Sequence, residues 1–210
     1  MGEIHVDLFS TLDGVIQAPG GPDEDTESGF AFGGWQAPLF DDESGQQVDA
    51  GLRQLDALLL GRKTYDIFAG YWPTASTDSD IAALFNRVPK YVASRSNREL
   101  DWAGSVRIGD DLATELTELK QRHQQIHVIG SGDLFQTLQR EHLFDRLNLF
   151  IYPITLGTGK RAFGDGTVPA GLRLVEPAVT TAKGAVVLHY AATEEVPTTG
   201  DMDKRDDPSD

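Results

Sequence analysis

Leu58-Leu59-Leu60-Gly61-Arg62-Lys63-Thr64-Tyr65 is the stretch on which the fold turns. An apolar run ends on a glycine and a basic, hydroxyl-bearing segment follows at once. That order predicts a buried strand handing over to a helix N-terminus. Glycine permits close backbone approach at such a turn, and the open amides and dipole of a helix's first turn favour a phosphate group. Arg62, Lys63 and the Thr64 hydroxyl would add charge and hydrogen bonds. Taken alone, the octapeptide reads first as an ordinary strand-to-helix turn whose basic residues face water.

Outward from it, strand and helix signals alternate. Upstream, Ile4, Val6 and Leu8 alternate with His5 and Asp7, a strand pattern that ends in the turn-forming Ser10-Thr11-Leu12-Asp13-Gly14. Residues 17–34 form a long loop rich in Gly, Pro, Asp and Glu, in which Phe30, Phe32 and Trp35 are either a lid over a pocket or a satellite core. Asp41 to Ser44 offer caps to a helix carrying Val48, Leu52 and Leu55. Downstream come a helix with Tyr65 and Phe68, a helix over 78–87, strands Lys90–Ala93 and Ser105–Ile108, and a helix capped by Asp110-Asp111. Strand Ile126–Ile129 then runs into Gly130-Ser131-Gly132-Asp133 and a helix with Leu134, Phe135 and Leu138 inward. Strand Leu147–Ile154 and a hairpin of Leu172–Val179 with Val186–Ala191 complete the pattern. The whole predicts an α/β fold, a mixed and mostly parallel sheet with helices on both faces and an antiparallel C-terminal hairpin. Residues 1–192 form one domain, and 193–210, without an apolar pattern, read as a disordered acidic tail.

Composition narrows the chemistry. The 210-residue chain contains no cysteine, which excludes disulfides, thiolate metal sites and cysteine nucleophiles. Five histidines do not make a metal cluster: His123 and His127 straddle an expected helix end and strand start, and each histidine reads as structural or solvated. A net charge of −15 argues against nucleic acid and anionic membrane surfaces, and makes Arg62-Lys63 a local exception where an anionic ligand would be focused. No signal peptide or membrane-spanning run is evident, so the chain reads as cytoplasmic.

Three predicted strands end in phosphate-friendly chemistry: Gly61-Arg62-Lys63-Thr64, Ser94-Arg95-Ser96 and Gly130-Ser131-Gly132. Ligands of open α/β sheets bind beyond the carboxyl ends of the strands, so three such ends on one rim point to a nucleotide. Arg95 between two serines has the donors to hold a terminal phosphate monoester such as the ribose 2′-phosphate of NADP.

Leu59–Tyr65 and Val128–Gly132, with Ser10–Gly14 and Pro153-Ile154-Thr155-Leu156-Gly157-Thr158-Gly159, run in the order found in the dihydrofolate reductase-like superfamily. Over roughly residues 3–191 the chain resembles its riboflavin-biosynthesis deaminase-reductase branch, in stand-alone form. The resemblance implies an NADPH-dependent reductase of a small heterocyclic or carbonyl-type substrate, often a homodimer. By matching positions it implies that Gly61, Arg62, Lys63 and Thr64 hold cofactor phosphates, Ser94, Arg95 and Ser96 the 2′-phosphate, and Gly130, Ser131, Gly132, Asp133 and Leu134 the pyrophosphate. Thr11, Asp13 and Gly14 would lie near the nicotinamide, and Thr155, Leu156 and Gly157 would border the same cleft. Asp13 is the candidate for proton delivery, beside a plain role in its own turn. Trp35, Tyr65, Phe68 and Trp72 are candidates for an aromatic wall against a flat substrate. Two departures stand out: Asp145-Arg146 replaces a common Asp-Glu pair, and no acid on the first long helix matches the one folate reduction uses. Folate is therefore not the expected substrate. A non-catalytic nucleotide-binding or sensor protein on the same fold is the alternative, and an interaction protein using its acidic tail is a third reading.

Overall fold

The computed structural model describes residues 1–76, 79–195 and 197–201. Nine strands form a single sheet: β1 Glu3–Thr11, β2 Ala57–Gly61, β3 Lys90–Ala93, β4 Ser105–Ile108, β5 Gln125–Ile129, β6 Arg146–Tyr152, β7 Leu172–Leu174, β8 Val179–Thr180 and β9 Val186–Ala192. Their order is β4-β3-β2-β5-β1-β6-β9-β7, with β8 also pairing β9. Neighbours from β4 to β6 run parallel, and β9 runs antiparallel to β6, β7 and β8. Five helices connect them: α1 Asp42–Leu52, α2 Arg62–Tyr71, α3 Asp80–Arg87, α4 Leu112–Arg122 and α5 Gly132–Arg140.

The Leu58-Leu59-Leu60 run is buried on both sides because helices cover both faces of β2, as parallel strands require. Leu59 joins Ile4, Val6, Leu8, Ile126 and Val128 in a core closed by Leu116 and Leu119 of α4 and Phe135 and Leu138 of α5. Leu58 and Leu60 turn to the other face, against Leu52 of α1, Tyr65 of α2 and Phe85 of α3. A third cluster gathers Val15, Phe30 and Trp35 of the long loop against Phe150, Tyr152 and Val187.

The C-terminal hairpin differs from the single long strand expected over 172–179. Leu174 pairs with Tyr190 and Val179 with Val187, so residues 175–178 bulge against only two residues of β9. Pro177, which has no amide hydrogen for the ladder, stands in the bulge. The turn into β9 closes through Gly184, whose φ of 84° is left-handed. Leu55, read as part of the first helix, lies beyond its end at Leu52. Of the expected tail, Val196 and residues 202–210 lie outside the described residues, whereas the Thr193 amide donates to the Gly171 carbonyl. Among the described residues no helix is long and apolar enough to cross a membrane.

Candidate active site

A cleft of about 1180 Å³ opens along the carboxyl ends of β3, β2 and β5 and continues over β1, β6 and β9. Gly61, Arg62, Lys63, Thr64, Ser94, Arg95 and Ser96 line it, together with Gly130, Ser131, Gly132, Asp133 and Leu134. Residues as far apart as Gly61 and Leu134 thus share one rim because parallel strands end on the same side.

Helix capping separates this rim from the rest of the molecule. Asp41, Ser79 and Asp111 cap α1, α3 and α4, each accepting a hydrogen bond from a first-turn amide. The two helices that start at the cleft, α2 and α5, have no side-chain cap. Their N-cap residues are Gly61 and Ser131, and the Ser131 hydroxyl accepts from the Gly61 amide at 3.0 Å, which ties β2 to β5. First-turn amides of both helices are left to face the cleft with the positive ends of two dipoles. Gly130 has a φ of 66°, and an added Cβ there would meet nothing within 4 Å, so the turn keeps open space above it.

The rim cations differ in availability. Arg62 is committed: its guanidinium donates to Asp66 Oδ1 at 2.9 Å and to the carbonyls of Arg98 and Glu99, clamping the 94–101 loop to α2. Lys63 meets Asp25 Oδ1 at 3.1 Å and also pairs with Glu27. Lys160 pairs with the same two acids, so the long loop is pinned over the α2 N-terminus. By contrast, Arg95 is exposed on the cleft, and among the described residues nothing pairs with its guanidinium. The Ser94 hydroxyl accepts from the Ser96 amide at 3.1 Å, a local turn that carries Arg95 outward.

Several expected site residues lie off the cleft wall. Asp13 accepts from the Thr11 hydroxyl at 2.6 Å, from the amides of Leu156 and Gly157, and from Arg161. The Thr11 bond first, then those amides and Arg161, pull its carboxyl down to about 2. Bonded in this way and absent from the cleft wall, Asp13 straps the β1 turn to the 155–161 loop, the plain turn role among its two readings. Thr11 and Gly14, and Thr155, Leu156 and Gly157, belong to that strap, and none of them lines the cleft. Trp35 is buried in the third cluster with its indole N–H donated to the Gln17 carbonyl, a satellite core and no lid. Tyr65 is buried too, its hydroxyl accepting from the Trp102 amide. Phe68 and Trp72 do line the cleft. The departing pair Asp145-Arg146 does not line it: Asp145 is bonded to Lys120 and the Ile4 amide, and Arg146 to Glu3.

A second group went unseen in the sequence. Asp7, Asn148 and His189 are cross-strand neighbours on one face of β1, β6 and β9, and all three line the cleft. Asp7 Oδ2 lies 2.6 Å from Nδ1 of the buried His127, Asn148 Nδ2 donates to Asp7 Oδ1 at 2.8 Å, and His189 Nδ1 lies 2.8 Å from Asn148 Oδ1. Burial pushes the Asp7 carboxyl up, but the attraction of His127 and the bonds from His127 and Asn148 outweigh it and hold the carboxyl below its ordinary value. His127, fully buried on Asp7 and absent from the cleft wall, has the structural role expected, whereas His189 lines the cleft. Among the described residues no group of three or more His, Asp or Glu could hold a metal ion.

Comparison with known proteins gives one consistent neighbourhood. The model of the RibD C-terminal domain matches residues 3–188. The Bacillus subtilis (strain 168) protein YyaP, itself uncharacterized, is 29% identical over 195 residues, which cover 89% of this chain and 93% of YyaP. Among solved structures, a Shewanella sp. PV-4 protein provisionally named for riboflavin biosynthesis superposes with a TM-score of 0.71 at 17% identity, over 91% of this chain and 99% of that one. A Thermotoga maritima diaminohydroxyphosphoribosylaminopyrimidine deaminase/5-amino-6-(5-phosphoribosylamino)uracil reductase gives a TM-score of 0.61 at 16% identity, over 91% of this chain and 57% of the bifunctional protein. At these identities the two solved structures speak to the fold, a dihydrofolate reductase-like mixed sheet.

Proposed function

The chain belongs to the RibD C-terminal domain family, and from that premise we propose that it is an NADPH-dependent reductase of a small heterocyclic or carbonyl-type substrate. The observation that carries the reading is the pair of uncapped α-helix N-termini on one cleft, whereas the other three α-helices among the described residues are capped by side chains. Open amides at two adjacent strand ends are the chemistry a pyrophosphate needs. The free Arg95 guanidinium between Ser94 and Ser96 suits a further phosphate, which favours NADPH over NADH.

NADPH, when bound, supplies the hydride. The chain's own part is positional. First-turn amides of α2 and α5 would hold the pyrophosphate, and Arg95 with its serines would hold the 2′-phosphate. In the sheet order, β1 and β6 lie on the far side of β5 from β3, so Phe9 and Phe150 are the residues that would meet the reacting end of the dinucleotide. These two rings, 4.9 Å apart between centroids, offer an apolar floor that excludes water from the hydride's path. In this reading Asp13 keeps its strap role. A homodimer is carried over from the family and is read by sedimentation velocity.

Calorimetric titration with NADPH and spectrophotometric NADPH oxidation against a panel of carbonyl compounds and nitrogen heterocycles test the proposal. Micromolar binding with turnover of at least one substrate class is expected. No heat at millimolar NADPH rejects it, and binding without oxidation by any compound favours a non-catalytic nucleotide-binding protein.

A further inference from the structure

One face of the sheet is apolar throughout, closed by α4 and α5. The opposite face is apolar over β2, carries Val92 and the buried Lys90 on β3, and turns polar over β1, β6 and β9. There, Asp7, Asn148 and His189 form one cross-strand row, next to the row of Phe9, Phe150 and Val187. A face meant for a helix would carry apolar side chains in that row, and a face meant for water would not bury Asp7 and Asn148 to 6% and 8% exposure. Polar atoms this buried that still line a cleft suit a polar ligand.

The row's donors and acceptors are fixed by its own bonding. An ionised Asp7 can only accept, so Asn148 must turn Nδ2 toward it and Oδ1 toward His189. His189 Nδ1 then carries the proton, and His127 Nδ1 likewise donates to Asp7. Both carboxylate oxygens retain a free lone pair, and Asn148 Nδ2 retains a second N–H that no described residue takes. An acceptor stands beside a donor.

We propose that Asp7 and Asn148, held in orientation by His127 and His189, read a planar N–H/C=O edge of the substrate, the edge of a lactam ring lying against Phe9 and Phe150. That this ligand is the hydride acceptor rests on the reductase reading above, whereas the edge itself rests on the row. Asp7 anchors the ring N–H and Asn148 donates to the carbonyl. His127 and His189 are positioning residues, acting through these two.

Ligand-detected NMR with 2-pyridone and N-methyl-2-pyridone tests the edge, because the two differ in the ring N–H alone. The wild-type protein is expected to bind 2-pyridone at least tenfold more tightly than its N-methyl counterpart. Asp7→Asn and Asn148→Ser should each weaken 2-pyridone roughly tenfold or more while NADPH affinity holds. Equal binding of the two probes, or no binding of 2-pyridone, overturns the inference. The wild-type probe pair decides it even where a variant fails to fold. NADPH binding without pyridone discrimination rejects the edge alone, and pyridone discrimination without NADPH binding rejects the reductase reading alone.

Discussion

Replacing Arg95 by alanine separates the two phosphate sites of the cleft. Arg95 is exposed and has no partner among the described residues, so its removal breaks no internal contact and leaves the fold unchanged. A charge-assisted hydrogen bond is worth about 1.5–3 kcal/mol. Exposure to water and salt places this one near the low end, about 1.5 kcal/mol, or roughly tenfold in NADPH dissociation constant. NADH lacks the 2′-phosphate and should bind the variant as it binds the wild type. Arg62 provides the contrast: its guanidinium is already bonded to Asp66 and two carbonyls, so Arg62→Ala should loosen the 94–101 loop and weaken both cofactors. Calorimetric titration of both cofactors into both variants at low and high salt gives the answer. The selective loss should shrink as salt rises. An equal loss of NADPH and NADH in Arg95→Ala would refute the reasoning.

The acids pinned to Lys63 and Lys160 compete with any phosphate at the α2 N-terminus, so the double change Asp25→Asn, Glu27→Gln should tighten NADPH and NADH alike, read by the same titration. Unchanged affinities would mean that Lys63 does not face the bound phosphates. Lys90 is fully buried, its ammonium bonded to the carbonyls of Asn86 and Ala103 and set over the Trp102 ring, and burial pushes its pKa down to about 8. Between about 8 and the ordinary 10.5 the unfolded chain binds more protons than the folded one, so stability rises with pH across that window. Lys90→Met should flatten that rise in urea unfolding curves, and an identical rise in the variant would assign it elsewhere. Asp13, whose carboxyl is held at about 2, contributes stability that is present above the ordinary value of 3.8 and is lost as pH falls through 2. Asp13→Asn should remove that acid-limb dependence and lower the melting temperature without reshaping the neutral pH profile of turnover. A shifted kinetic pKa in this variant would restore Asp13 as a proton donor.

Local signals carried the fold a long way. The apolar run before Gly61, the caps at Asp41 and Asp111, and the alternation of Ile4, Val6 and Leu8 each fix an element through neighbours in sequence. Because parallel strands end on one side, the three polar strand ends then had to share a rim. What sequence could not show is which partner takes a charge once the chain closes. Arg62, Lys63 and Asp13 look available in the sequence and are bonded in the structure to Asp66, Asp25 and Arg161. The Asp7 row was hidden for the same reason. In β1, His5 and Asp7 read as the wet side of an alternating strand, and their partners His127, Asn148 and His189 are over a hundred residues away. Trp35 was ambiguous because an aromatic residue in a polar loop is compatible with lid or core until Gln17 and Tyr152 are placed beside it.

The central claim is that two uncapped helix ends on one cleft grip the phosphates of a dinucleotide, and a crystal soaked in NADPH addresses it most directly. The account predicts density for the pyrophosphate on the first-turn amides of α2 and α5, the 2′-phosphate at Arg95, and the nicotinamide toward the β1 and β6 end of the cleft. Cofactor density bound away from both helix ends would contradict it.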